Sequence, residues 1–265
     1  MSRRMFALAT ISVFAWPLAP PGGAFGADVD HYKCYNSRPT LPRFTPVTVS
    51  LADSFETTTE VAVKPFELCN PVDKNGEGIV DPTAHLHCYR TRRTPSTPQF
   101  QSQLVDVTNQ FGTQQLQIYR RHSLCLPAEK NGVASALNIN HYKCYKARAV
   151  PGSPAPTPLI VNLADQFETK TTQVRTPKLY CDPVYKNNEP LVSPQRPLTC
   201  YSIRQMPGQP RFQGVSVSVK DQFGLFTAET GKISCTRPAV LCVPSSPPYG
   251  SPTRAFLDRV PSLLD

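Results

Sequence analysis

His31-Tyr32-Lys33-Cys34-Tyr35 and His141-Tyr142-Lys143-Cys144-Tyr145 spell one phrase, HYKCY, twice, 110 residues apart (141 − 31). In an extended chain successive side chains alternate between faces, so Tyr32 and Cys34 share one face while His31, Lys33 and Tyr35 share the other. Weaker echoes agree: HLHCYRTR pairs Leu86 with Cys88, and PLTCYSIR pairs Leu198 with Cys200. A bulky side chain and a cysteine always fall together. The phrase therefore reads as a core strand carrying a staple point.

Two further phrases follow each Cys-Tyr pair. VTVSLADSFE, LVDVTNQFG, LIVNLADQFE and VSVSVKDQFG place Val or Leu at alternate positions (Val47, Val49, Leu51; Val105, Val107; Leu159, Val161, Leu163; Val215, Val217, Val219), the pattern of a half-buried strand. Each runs into Asp53, Asn109, Asp165 or Asp221, two residues before a Phe, where a short polar side chain bonds the amides ahead and sets a turn. A calcium ligand is the competing use of these residues, but they lack neighbouring carboxylates. LCNPVDKNG, LCLPAEKNG, YCDPVYKNN and LCVPSSPPY close the units.

The chain is thus a fourfold internal repeat, with Cys-Tyr at 34, 88, 144 and 200. Units one and three share HYKCY and LAD-FE, whereas two and four share QFG, so the units group as pairs. This organisation predicts an all-β protein of two β-sandwich-like domains, 28–137 and 138–250, each made of two disulfide-stapled units of about 55 residues. The 29 prolines disfavour long helices.

The N-terminal stretch has a basic start, an apolar run Phe6–Leu18 and then small residues, the pattern of a signal peptide cleaved after Gly26. SRRMF resembles the twin-arginine export motif at Ser2, Arg3, Arg4 and Phe6 but departs from it at Ala7 and Leu8, and an ordinary Sec signal also fits. Either route leads to a periplasmic or extracellular location. No segment is long and apolar enough to span a bilayer comfortably. At the other end, 251–265 reads as a tail outside the repeats.

Export makes disulfides the natural use of the cysteines. The within-unit spacings predict Cys34–Cys69, Cys88–Cys125 and Cys144–Cys181. In the fourth unit Cys235 matches the spacing from Cys200 and Cys242 matches the words LC-P; Cys242 is the expected partner, with ISCTRPA read as an insertion and Cys235 left odd. Cross-unit bridges such as Cys69 to Cys88 stay open. Closing loops of this length stabilises each unit by ~3–4 kcal/mol in the chain-entropy model. His-x-x-Cys recurs at His31, His85 and His141, but residues three apart on a strand face opposite sides, so no metal site and no cofactor are expected.

Function is less legible. Neither G-x-S-x-G, H-E-x-x-H nor a glycine-rich phosphate loop occurs. The positions shared by all units are a structural set, which points away from an enzyme. Between the first two strands of every unit lies a proline-stiffened loop with cations: Arg38 and Arg43; Arg90, Arg92 and Arg93; Lys146 and Arg148; Arg204 and Arg211. Gathered at one end, they would make a basic rim that attracts an anionic glycan or other cell-surface polymer, as the formal net charge of +9 allows. Solubilising charge beside edge strands is the alternative use. Nucleic acid is not the expected partner, and the oligomeric state is open. The rival function is an extracytoplasmic hydrolase with its site in one unit, around Cys235 or His122.

HYKCY, L-DQFE and LC-PV-KNG together resemble a family of secreted bacterial repeat domains of unknown function, over about residues 30–245. The resemblance implies repeated all-β domains and export. It carries no activity and no site residues, and the fourth unit departs from it by lacking KNG and gaining Cys235.

Overall fold

The computed structural model describes residues 29–39, 44–153, 159–192, 196–224 and 233–246. The leader, Arg43 and the 251–265 tail lie outside them. The described chain is all-β. Its strands are β1 (Tyr32–Pro39), β2 (Val47–Ala52), β3 (Thr57–Pro71), β4 (Asp73–Lys74), β5 (His85–Arg93), β6 (Gln103–Asn109), β7 (Gly112–Lys130), β8 (Tyr142–Ala149), β9 (Leu159–Ala164), β10 (Thr169–Pro183), β11 (Tyr185–Lys186), β12 (Leu198–Gln205), β13 (Val215–Val217), β14 (Val219–Asp221) and β15 (Ile233–Pro244).

These strands form one sheet, not two sandwiches. β1, β3, β5, β7, β8, β10, β12 and β15 pair antiparallel in that order, and β15 pairs back onto β1, so eight strands close into a barrel. Closure follows from the repeat. Each unit supplies two neighbouring strands and its outer edges meet the next unit, so four units leave no edge over. Pairing of β7 with β8 carries the sheet straight across the boundary expected at residue 138.

An eight-stranded barrel is just wide enough to be filled by its own side chains. Here the filling includes all eight bridged cysteines, with Tyr32, Leu86, Tyr142 and Leu198 stacked on one side of them. Cys34–Cys69, Cys88–Cys125, Cys144–Cys181 and Cys200–Cys242 each join directly opposed residues of a unit's two strands. Bridges of adjacent units touch, with Sγ to Sγ distances of 4.0 Å for Cys69 and Cys88, Cys125 and Cys144, and Cys242 and Cys34, and 3.9 Å for Cys181 and Cys200. The sulfurs form a continuous belt around the interior.

The second phrase of each unit builds a hairpin with the first half of the returning strand, and that hairpin wraps the outside of the next unit. Val49, Leu51 and Ala62 of unit one pack on Tyr89, Leu124 and Leu126 of unit two. Val105, Val107, Leu116 and Ile118 cover Tyr145 and Tyr180 of unit three. Val161, Leu163 and Val174 cover Tyr201, Leu241 and Val243 of unit four, and Val217, Val219 and Cys235 cover Tyr35 and Leu68 of unit one.

Each hairpin tip then reaches the unit two places on. Asp53 Oδ1 accepts the amides of Phe55 and Glu56 at 2.9 Å, while Oδ2 accepts the hydroxyl of Tyr145 at 2.5 Å. Tyr35 donates likewise to Asp165 (2.7 Å) and Tyr89 to Asp221 (2.5 Å), and Asn109 donates its amide to the Tyr201 hydroxyl (2.9 Å). The turn residue thus has two tasks, its own turn and a cross-link to the opposite unit. The KNG segments do the same with backbone: Asn75 and Asn131 take φ of 59° and 52°, and their side chains accept the amides of Asn162 and Ser218.

The fourth unit corrects one expectation. Cys235 stands seven residues before Cys242, as Ala62, Ile118 and Val174 stand before Cys69, Cys125 and Cys181, and it fills the equivalent place in its hairpin's core. ISCTRPA is therefore ordinary strand. The five extra residues fall between Phe223 and Ser234, since Phe to second Cys spans 14 residues in the other units and 19 here. Pro238 aligns with Pro65 and Pro177, which a gap placed at ISCTRPA would have broken.

Candidate functional site

On the far side of the sulfur belt the interior turns polar. The position two residues after each first cysteine is Asn36, Arg90, Lys146 or Ser202. Facing them, every returning strand carries a register break just before its second cysteine, at Phe66, His122, Lys178 and Ala239. A bulge of this kind adds an unpaired residue and re-aims its neighbours. Phe66 joins the interior cluster, and Glu67 and Ser123 line a void of about 20 Å³ against the sulfurs, space for about one water.

Above that floor lies a cavity of about 700 Å³, open to solvent and bordered by Asn36, Ser37, Arg38, Lys64, Phe66, Arg90 and Arg237. Arg90 stacks on Phe66, its guanidinium carbon 3.6 Å from the ring centroid, and donates to His122 Nε2. With Nε2 accepting, Nδ1 carries the imidazole proton and donates it to Ser123 Oγ at 3.1 Å. Arg120, Lys146 and Lys178 continue the ring of charge: Lys146 feels Arg90, Arg120 and Lys178, and Arg90 feels Arg120.

The titration of these groups shows how crowded the charge is. Burial first, then Arg90, Lys146 and Arg120, push His122 down to about 2, so its ring is neutral. Burial, reinforced by their cationic neighbours, also lowers Arg90 and Lys146. Glu67 is 7% exposed, and burial raises its carboxyl to about 7 although Arg90 and Lys146 oppose the shift. Among the described residues, no carboxylate comes within salt-bridge distance of Arg38, Lys64, Arg90, Arg120, Lys146, Lys178 or Arg237. The Ser37 hydroxyl is buried without a partner among the described residues.

Of the candidate cations, Arg38 and Arg90 border this mouth, and Lys146 is close enough to feel Arg90. Arg92, Arg93, Arg148, Arg204 and Arg211 do not border it; Arg93 bonds the Thr97 carbonyl, and Arg148 bonds Gln117 and stacks on Tyr119. Sequence reasoning missed Lys64, Arg120, Lys178 and Arg237, which sit on the returning strands and not in the proline loops. Their signal was the count back from the second cysteine: five residues for Lys64, Arg120 and Arg237, three for Lys178.

The rival enzymatic reading has two alternative centres, and they lie in different parts of the fold. Cys235 lies in an outer hairpin core with its thiol pushed up to about 12 by burial, whereas His122 bonds Arg90, which borders the barrel mouth. Among the described residues no group of three His, Cys, Asp or Glu is placed to hold a metal ion, and no helix is long and apolar enough to cross a membrane. Comparison with protein-family models, with curated proteins and with solved structures finds no match.

Proposed function

We propose that the chain is an exported, non-enzymatic binding protein whose barrel mouth takes the charged groups of an anionic cell-surface polymer. One observation carries this reading: Arg38, Lys64, Arg90 and Arg237 border a concave opening, Lys146 lies within the field of Arg90, and among the described residues the buried carboxyl that acts on Arg90 and Lys146 is Glu67. Like charges brought together raise each other's energy, and an anion relieves all of them at once. A mouth of this size suits a few sugar residues or a charged chain end. Four disulfides fit an oxidising compartment, in keeping with the leader-like N-terminus.

An array of anionic and neutral glycans, probed with the mature disulfide-bonded protein at low and moderate salt, tests the reading. Binding confined to anionic polymers and weakening steeply with salt is expected. R90A/K146A should lose about tenfold or more in affinity, since each removed cation contributes on the order of 1 kcal/mol. Binding that ignores salt, or turnover in a hydrolase screen, would overturn it.

A further inference from the structure

We infer that the mouth holds a discrete site for one oxyanion (carboxylate, sulfate or phosphate ester) on Arg90, Arg120, Lys146 and Lys178, and that the Glu67 carboxyl seated among them is its gate. This deepens the proposed function and rests on that reading of the mouth.

The inference starts from geometry. Glu67 projects from β3 at a register break, beside Arg90 of β5 and within the field of Lys146 of β8. From the other elements, the exposed Arg38 of β1 and Arg237 of β15, with Lys64 on its own strand, rim the opening beside Arg90; Lys146 has Arg120 of β7 as its cross-strand partner and feels Lys178 of β10, and His122 of β7 bonds Arg90. It makes no salt bridge with any of them among the described residues. The carboxylate therefore acts on the cations through space, partly cancelling the field an incoming anion would meet. His122 is neutral throughout the physiological range and does not compete for that role.

Two states follow. With Glu67 ionised, the mouth already contains a negative charge, and an oxyanion is repelled as it approaches the same cations. With Glu67 protonated, the full cationic field is available and the carboxyl can donate a hydrogen bond to the guest. Because burial places the carboxyl's titration at about 7, the exchange between states falls in the physiological window. The sign is fixed: oxyanion binding is tighter on the acid side. Guest and proton are taken up together, and each raises the affinity for the other.

Calorimetric titration of the mature, oxidised protein with sodium sulfate tests this, since sulfate keeps its charge throughout. From about pH 8 to about pH 5.5, affinity should rise roughly tenfold, the size expected for removing one charge a few ångströms away in a partly screened site. E67Q should bind tightly at both pH values, with the pH dependence gone. K146A, altered at the half-exposed rim, should weaken binding at both, and melting curves establish that each variant is folded. A wild-type affinity that does not change with pH, or an E67Q profile that copies the wild type, overturns the gate. A sulfated polymer titrated in parallel separates the two ideas. Salt-sensitive polymer binding with a flat sulfate profile sinks the gate alone, whereas gated sulfate binding without polymer binding sinks the polymer and leaves a site for a free anion.

Discussion

Lys143 shows what the repeated phrase asks of a single side chain. Its ammonium is buried against Glu56 (2.9 Å), Glu60 (3.0 Å) and the Thr58 hydroxyl (2.9 Å). Burial alone would lower its pKa, but Asp53, Glu60 and Glu56 outweigh burial and raise it. Replacing it by Met strands those carboxylates, so K143M should lose about 3–5 kcal/mol in denaturant unfolding, and less at acid pH where they take up protons. Glu67 behaves in the opposite sense. Its carboxyl titrates at about 7 in the folded chain and at 4.5 ordinarily, so the folded state holds the extra proton between those values. Stability from this residue is present at low pH and is lost as pH rises through that window. E67Q should therefore match the wild type below the window and exceed it above, by up to about 3 kcal/mol, read as a widening gap in melting temperature. Cys235 is a third case. Val174 fills the same place in unit three, so C235V should stay within about 1 kcal/mol of the wild type and still form all four bridges.

At the scale of the element, the strand with its staple was legible and the bulge was not. Period-two alternation from Cys34 correctly puts Tyr32 inside and Tyr35 outside, because β1 itself carries no extra residue there, the break lying at Ala239 of its partner β15. Counting back from Cys69 by the same rule fails within three residues, since the break at Pro65–Glu67 brings both Phe66 and Glu67 to the interior side. No residue type marks a bulge reliably, so the mouth cations on the returning strands went unseen while those in the proline loops drew notice. The pairing of cysteines was legible for a simpler reason, as nearly the same separation (35, 37 and 37 residues) recurs in the first three units, while in the fourth, at 42, the phrase LC-P and not the spacing picks out Cys242. Removing one staple as C88A/C125A should lower unfolding stability by ~3–4 kcal/mol, the loop-entropy value for a separation of 37 residues.

For the whole molecule, the sequence pairs suggested two domains because repeats one and three are the most alike. The structure shows a different meaning for that likeness. Units one and three are opposite each other in the ring and trade hairpin tips, Asp53 to Tyr145 and Asp165 to Tyr35. Units two and four trade Asn109 with Tyr201 and Asp221 with Tyr89. Every such bond crosses the midpoint of the chain. Separately expressed halves, 28–137 and 138–250, should then be poorly folded by circular dichroism and near-ultraviolet signal, and should regain structure when mixed after co-oxidation. Independent folding of either half would contradict the closed ring.

Closure by β1 and β15 also sets how the protein yields to a pull. The two strands are antiparallel and Tyr32 lies opposite Cys242, so the start of β1 and the end of β15 stand at the same rim of the barrel. Tension on the termini peels this seam one bond at a time, as a zip opens, without shearing the whole ladder at once. The peel then meets sulfur. Loops of 35, 37, 37 and 42 residues stay locked behind their bridges, so an oxidised molecule held in an optical trap should extend far less than its chain length allows. Each reduction event should release a step of roughly 3.3–3.6 Å for every residue in the freed loop.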